Sequence, residues 1–215
     1  MAICAAVFDL DGTICDTLGD IGASMNRAFA SVGIPTRPVE EYARFIGGGI
    51  RNAFQQAAPQ GTTEEVREKA LAFYLTDYPE HCADSTEPYP GLRQLLLELT
   101  ARNIRLAVVT NKTETTAQRL ISAILPDVPF SFVWGRKDGR PLKPDPALGD
   151  DVCRELSLSP EEILFVGDGD ADMLFAANAG FKGVAVTWGY RSVEQLREAG
   201  GKYFADTAEE VLKYV

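Results

Sequence analysis

The chain has 215 residues, 46% apolar and 24% charged, so it has the means to bury a core and lacks the composition of a disordered chain. Its net charge of −10, with no basic run, argues against a nucleic-acid or anionic-membrane surface. A small anionic substrate stays open, because one metal ion or lysine reverses the field inside a cleft.

Residues 3–8 form an unbroken apolar run that stops at Asp9, the pattern of a strand buried on both faces of a parallel sheet. The run is too short and lacks the basic flank of a secretory signal. Helical spacing follows: Ile21, Met25, Ala28, Phe29 and Val32 share one face, as do Val39, Tyr42, Ala43 and Ile46 after Pro38 at a helix start. Thr62 with Glu65 reads as a capping box for a further helix with Val66, Ala70, Phe73 and Tyr74 on its buried stripe. No strand interrupts residues 16–80, and the stretch 81–91, with Pro88, Pro90 and Gly91, marks a return to other structure.

From there apolar runs at 104–109, 130–134, 163–166 and 183–186 alternate with amphipathic stretches at 92–99, 117–125, 147–156, 173–179 and 193–199. Strands alternating with helices predict an α/β fold, a Rossmann-like parallel sheet with helices on both faces. Residues 1–14 and 86–215 form this core, and residues 15–85 a small inserted all-helical cap. No internal repeat or low-complexity segment is present.

Ligands of open parallel sheets bind at the carboxyl ends of the strands. The first apolar run ends in Asp9-Leu10-Asp11-Gly12-Thr13, the second in Thr110-Asn111-Lys112, and a later one in Gly167-Asp168-Gly169-Asp170-Ala171-Asp172. Lys143 lies between them in the proline-stiffened Leu142-Lys143-Pro144-Asp145-Pro146. Each segment alone is ordinary turn or helix-start chemistry, a reading that stays open for Asp145 and Asp170. Together, each after its own apolar run, they predict one acidic edge. Carboxylates without histidine or cysteine partners suit a hard cation on oxygen ligands, and Mg²⁺ fits better than Zn²⁺. Such a cation invites phosphate: Asp9, Asp168 and Asp172 carry three negative charges, which Mg²⁺ and Lys143 balance. Without the metal, an aspartate about 3 Å from a phosphate charge meets a repulsion of about 5 kcal/mol at an effective dielectric near 20.

These four segments resemble the signatures of the haloacid dehalogenase superfamily, in particular its phosphatases with a helical cap after the first strand. Tyr89-Pro90-Gly91 and Thr187-Trp188-Gly189-Tyr190 resemble its phosphoglycolate phosphatase branch. Gly169 departs from the serine of many relatives. The resemblance implies that Asp9 attacks phosphorus to form an aspartyl-phosphate and that Asp11 protonates the leaving alcohol and then activates water. It implies that the Asp9 carboxylate, the Asp11 carbonyl and Asp168 hold Mg²⁺, with Asp172 orienting the shell. Thr110 and the Asn111 amide then bind phosphoryl oxygens, Lys143 offsets charge, and Gly12 lets the backbone turn near the phosphate. Ile46-Gly47-Gly48-Gly49-Ile50-Arg51 resembles the cap loop that faces the site. Amides around Gly48 and the Arg51 fork are therefore candidates to bind a carboxylate, against a flexible connection with a solvated arginine.

The implied activity is Mg²⁺-dependent hydrolysis of a small phosphorylated metabolite, 2-phosphoglycolate first, with a sugar phosphate, a nucleotide or pyrophosphate as alternatives. Asp11 speaks against a dehalogenase. A β-phosphoglucomutase-like isomerase lacks its cap histidine, since Ile21 stands at the aligned position and the one histidine is His81. A phosphonoacetaldehyde hydrolase would need a cap lysine, and Lys69, the one lysine between residues 15 and 85, falls on a polar face. A phosphate-binding regulator without catalysis would have lost acids that are all present. His81, Trp134 and Trp188 read as packing residues. Small residues around 12–22 and the 81–91 stretch are candidate hinges for cap closure. No apolar run reaches membrane-span length, and Cys4, Cys15, Cys82 and Cys153 lack a Cys-x-x-Cys spacing, so the expectation is a cytoplasmic monomer or homodimer with idle thiols.

Overall fold

The structure is a computed structural model and describes residues 2–215. The first apolar run is strand β1 (Ala5–Phe8), followed by the two-residue β2 (Cys15–Asp16). A helical segment comes next: α1 (Leu18–Ser31), a 3₁₀ helix (Val39–Phe45), α2 (Ile50–Ala57) and α3 (Glu64–His81). The chain returns through β3 (Glu87–Pro88) and then alternates: α4 (Leu92–Ala101), β4 (Arg105–Thr113), α5 (Glu114–Ile124), β5 (Phe130–Arg136) and α6 (Pro146–Leu156). It ends with β6 (Ile163–Gly167), α7 (Asp170–Ala179), β7 (Lys182–Val186), α8 (Val193–Glu198), β8 (Tyr203–Ala205) and a 3₁₀ helix (Ala208–Tyr214).

Six strands form one parallel sheet in the order β5-β4-β1-β6-β7-β8. Successive side chains point to opposite faces of a strand, so one continuous apolar run feeds two cores. Ala6 and Phe8 pack with Leu106, Val108, Leu164 and Val166, under Leu95 and Leu99 of α4 and Leu120 of α5. Ala5 and Val7 pack on the other face with Val109 and Phe165, under Leu148 and Val152 of α6 and Phe175 of α7. This is the expected doubly covered sheet.

The helical segment has an aromatic interior in which Phe29, Phe54, Tyr74 and Tyr78 follow one another at centroid distances of 5.1, 5.4 and 5.0 Å. Three local expectations change here. The cap of α3 is Thr63, whose hydroxyl accepts from Val66 N, while Thr62 donates to the Pro59 carbonyl instead. The buried stripe of α3 runs through Ala70, Leu71, Tyr74 and Tyr78, which leaves Phe73 40% exposed on the far side. The residues after Pro38 form a 3₁₀ rather than an α-helix.

Both crossings between this segment and the sheet are tied together. β2 and β3 pair antiparallel, with Cys15 opposite Pro88 and Asp16 opposite Glu87. Beside them the buried Asp20 carboxylate accepts bonds from the amides of Ser85 and Thr86 at 3.0 and 2.9 Å and from their hydroxyls at 2.6 and 2.7 Å. The ribbon strands and β8 are too short to carry a readable hydrophobic pattern. All four cysteines are free thiols, and no helix among the described residues is long and apolar enough to cross a membrane.

Candidate active site

Strand order decides which chain segments meet. β1 lies between β4 and β6, so Asp9, just past β1, is flanked by Thr110 and Asn111 of β4 and by Asp168 after β6. The Asp9 amide still donates to the Val166 carbonyl at 2.9 Å, which continues the ladder and fixes where its carboxylate emerges. Asp172, in the first turn of α7, accepts from the Gly169 amide at 2.9 Å. Lys143 arrives from the loop between β5 and α6, and its Nζ lies 2.7 Å from both Asp9 Oδ1 and Asp172 Oδ1.

All of these groups are buried, and burial sets their charge states. Burial raises the Asp9 carboxyl to about 6; Lys143 pulls it down, while Asp172 and Asp11 push it up. Asp168 rises to about 8, again chiefly through burial, with the charges of Asp172 and Asp9 adding to it. Burial alone would lower the Lys143 ammonium, but the two adjacent carboxylates outweigh it and raise it. Three carboxylates with one lysine thus hold more negative charge than the site neutralises on its own. Asp9, Asp168 and Asp172 each offer an oxygen within 4.8 Å of the others. A buried, all-oxygen donor set with uncompensated charge fits a hard divalent cation.

Supporting contacts fix these acids. Thr13 donates to Asp168 Oδ1 at 2.9 Å and the Tyr190 amide to Oδ2 at 2.8 Å. Gly12, at φ +83°, and Gly189 lie against the Asp168 carboxyl so closely that a Cβ on either would overlap it. The Asn111 side chain donates to the Gly47 and Lys143 carbonyls at 3.0 and 3.1 Å and accepts from the Lys143 amide at 3.0 Å. It thereby ties two loops to the end of β4. Asp11 is held elsewhere: its Oδ1 accepts from Thr17 Oγ1, just before α1, at 2.8 Å and from Lys112 Nζ of β4 at 2.7 Å. Its carboxylate is not part of the three-acid group.

A cavity of about 100 Å³ opens above this edge, lined by Asp9, Asp11, Thr110, Asn111 and Lys112 below and by residues of α2, α3 and the 45–49 loop above. The structure does not bring Arg51 to it. The Arg51 guanidinium is more than half exposed and pairs with Glu68 of α3 on the outside of the helical segment. Gly48 lines a different cleft, beside Asn52 and Arg191, whereas Gly47 and Gly49 line the cavity. Asp145 caps α6 through the Ala147 amide, Asp170 is exposed, and Trp188 donates to the Thr13 carbonyl, so none of them belongs to the reacting groups.

Thr17 and Arg191 escaped the reading of the sequence, and Thr13, Lys112 and Tyr190 stood in the segments it singled out without a role of their own. Lys112 carried a signal, since it directly follows Thr110 and Asn111 on the same strand end. Arg191 carried none: it reaches across to donate to the Ala43 and Ile46 carbonyls at 2.9 and 2.5 Å, a contact only the fold creates.

Residues 6–186 match the haloacid dehalogenase-like hydrolase family. Phosphoglycolate phosphatase 1 of Pseudomonas aeruginosa is 32% identical over 96% of this chain and 77% of its own length. Phosphoglycolate phosphatase of Pasteurella multocida is 33% identical over 95% of both chains. Among solved structures, a predicted phosphoglycolate phosphatase from Haemophilus somnus superposes with a TM-score of 0.92 at 30% identity, covering 99% of this chain and 97% of that one. A haloacid dehalogenase-like family hydrolase from Streptococcus pneumoniae superposes with a TM-score of 0.88 at 25% identity over 99% and 98%. With its parallel sheet, its acids at the strand ends and these relatives, the chain belongs to the haloacid dehalogenase-like hydrolase family.

Proposed function

We propose that the protein hydrolyses 2-phosphoglycolate through an aspartyl-phosphate formed on Asp9. The coarser activity follows from the family and the relatives: the protein is a phosphoric monoester hydrolase. The observation that carries the finer reading is the meeting of Asp9, Asp11 and Thr110 in one small cavity beneath a helical roof. A cavity of about 100 Å³ restricts the occupant to a small molecule, and phosphoglycolate is the substrate named for the relatives.

In the first transfer an Asp9 carboxylate oxygen bonds to phosphorus as the ester P–O bond breaks, and Asp11 gives the leaving alkoxide its proton. In the second, Asp11 takes a proton from water, the water oxygen bonds to phosphorus, and the Asp9–phosphorus bond breaks to release phosphate. Thr110 and the Asn111 backbone bind phosphoryl oxygens, and Lys143 offsets charge on Asp9 and the transferring group. Asp9, the Asp11 carbonyl and Asp168 would hold Mg²⁺, with Asp172 orienting the shell. The ion supplies positive charge that lets a carboxylate and a phosphate dianion approach. Residues 15–85 act as the cap and residues 1–14 and 86–215 as the catalytic core, and the cap excludes water during transfer.

The test is phosphate release from 2-phosphoglycolate, hexose phosphates, nucleoside monophosphates and pyrophosphate, each with Mg²⁺ and with EDTA. Turnover that needs Mg²⁺ and is highest on 2-phosphoglycolate is expected. A maximum on another ester overturns the substrate, and turnover undiminished in EDTA overturns the metal.

A further inference from the structure

The core holds only the phosphoryl end of a substrate, so its other end must meet the remaining cavity wall. That wall is largely apolar, with Phe45, Ile50, Ala53 and Leu75 among its residues. Among the described residues, Lys112 is the one cation lining the cavity, and its side chain is only 6% exposed. One of its three N–H groups meets Asp11, and its Nζ stands 4.6 Å over the ring of Tyr78.

Tyr78 itself lines the cavity, and its hydroxyl is buried with no hydrogen-bond partner. Among the described residues a single other buried side-chain atom lacks such a partner, Asp9 Oδ1, which lies in ion-pair contact with Lys143 without an aligned hydrogen bond. The two orphan atoms thus belong to residues of the same cavity, one at its phosphoryl end and one on α3. Buried polar groups are nearly always paired, and one kept unpaired beside a cavity calls for a partner that arrives with the ligand. A phenylalanine would give Tyr78 the same stacking on Tyr74 without that cost.

We propose that the Lys112 ammonium and the Tyr78 hydroxyl bind the carboxylate at the end of the substrate that is not transferred. This rests on the reading of the substrate as a small phosphorylated acid. Lys112 and Tyr78 take the role that the sequence offered to Arg51, which lies outside the cavity. The ammonium supplies charge and the hydroxyl direction, and an ester with an uncharged end leaves both without a partner.

The experiment compares kcat and KM of the wild type, Tyr78→Phe and Lys112→Gln on 2-phosphoglycolate and on ethyl phosphate, which lacks the carboxylate. The expected result is a fall of about tenfold in the ratio of kcat/KM for phosphoglycolate over ethyl phosphate in each variant, expressed mainly in KM. Tyr78→Phe should keep or raise the ligand-free Tm, because no hydrogen bond is lost; a purely structural hydroxyl would lower it. A wild type that does not prefer phosphoglycolate over ethyl phosphate overturns the substrate reading. A wild type with that preference and variants with an unchanged ratio overturn the assignment of Lys112 and Tyr78 alone. Should Tyr78→Phe not fold, the ratio in Lys112→Gln decides.

Discussion

As the proposed nucleophile Asp9 has to act as a carboxylate in a place where burial opposes its charge, and Lys143 is the counterweight: its Nζ is 2.7 Å away and its side chain 1% exposed. Asp9→Asn is expected to abolish turnover while leaving the thermal midpoint near that of the wild type, as read by phosphate release and calorimetry. Turnover retained in that variant would remove Asp9 as the nucleophile. Lys143→Met leaves two buried carboxylates without their cation, and a loss of about 3–5 kcal/mol in denaturant unfolding is expected. Asp168 is pushed up to about 8 by burial and by its acidic neighbours, so a divalent ion should stabilise the folded protein. Mg²⁺ is expected to raise the wild-type Tm, and Asp168→Asn to lose that rise; an equal rise in both proteins would place the ion elsewhere.

Among the elements, the join between sheet and helical segment has its own chemistry. Burial would raise the Asp20 carboxyl, but the bonds from Ser85 and Thr86 outweigh it and hold it below 3.8. A carboxyl depressed by folding adds stability that is present above the unfolded value, near 3.8, and is lost as pH falls through the lower folded value. Asp20→Asn should therefore cost about 2 kcal/mol at pH 7 in urea unfolding, with the deficit closing at strongly acid pH. A deficit that does not change with pH would mean that the charge contributes nothing. The same elements show why two glycines are needed where they stand, since Gly12 and Gly189 bring backbone against the Asp168 carboxyl.

At the scale of the whole molecule, the cavity exists because the helical segment rests on the strand ends. Arg191 holds the Ala43 and Ile46 carbonyls, and Asn111 holds the Gly47 carbonyl. These are a few polar contacts around a small cavity, an arrangement suited to opening and closing. If the proposed cap closes over substrate, Arg191→Gln is expected to raise KM about tenfold with a smaller change in kcat, because that closure becomes less favourable. Equal kinetics in the two proteins would show that the Arg191 contact does not bear on closure.

The alternation of apolar runs and amphipathic stretches already specified the parallel sheet, because a strand buried on both faces needs a continuous apolar run. The strand ends likewise marked Asp9, Asp11, Thr110, Asn111 and Asp168, since a polar residue that closes such a run must emerge at the sheet edge, while Lys143 stood out by its proline-stiffened segment and Asp172 by the acidic run after the later strand. These are local patterns, and local patterns are legible in a sequence. The helical segment was legible as helices, but not in which residues face inward, as Phe73 shows. Strand order, the direction of Arg51, the partners of Asp20, the reach of Arg191 and the meeting of Lys112 with Asp11 and Tyr78 belong to the tertiary structure alone. Each depends on contacts between residues far apart in the chain, and no spacing along the sequence encodes which side chain finds which partner once the layers pack.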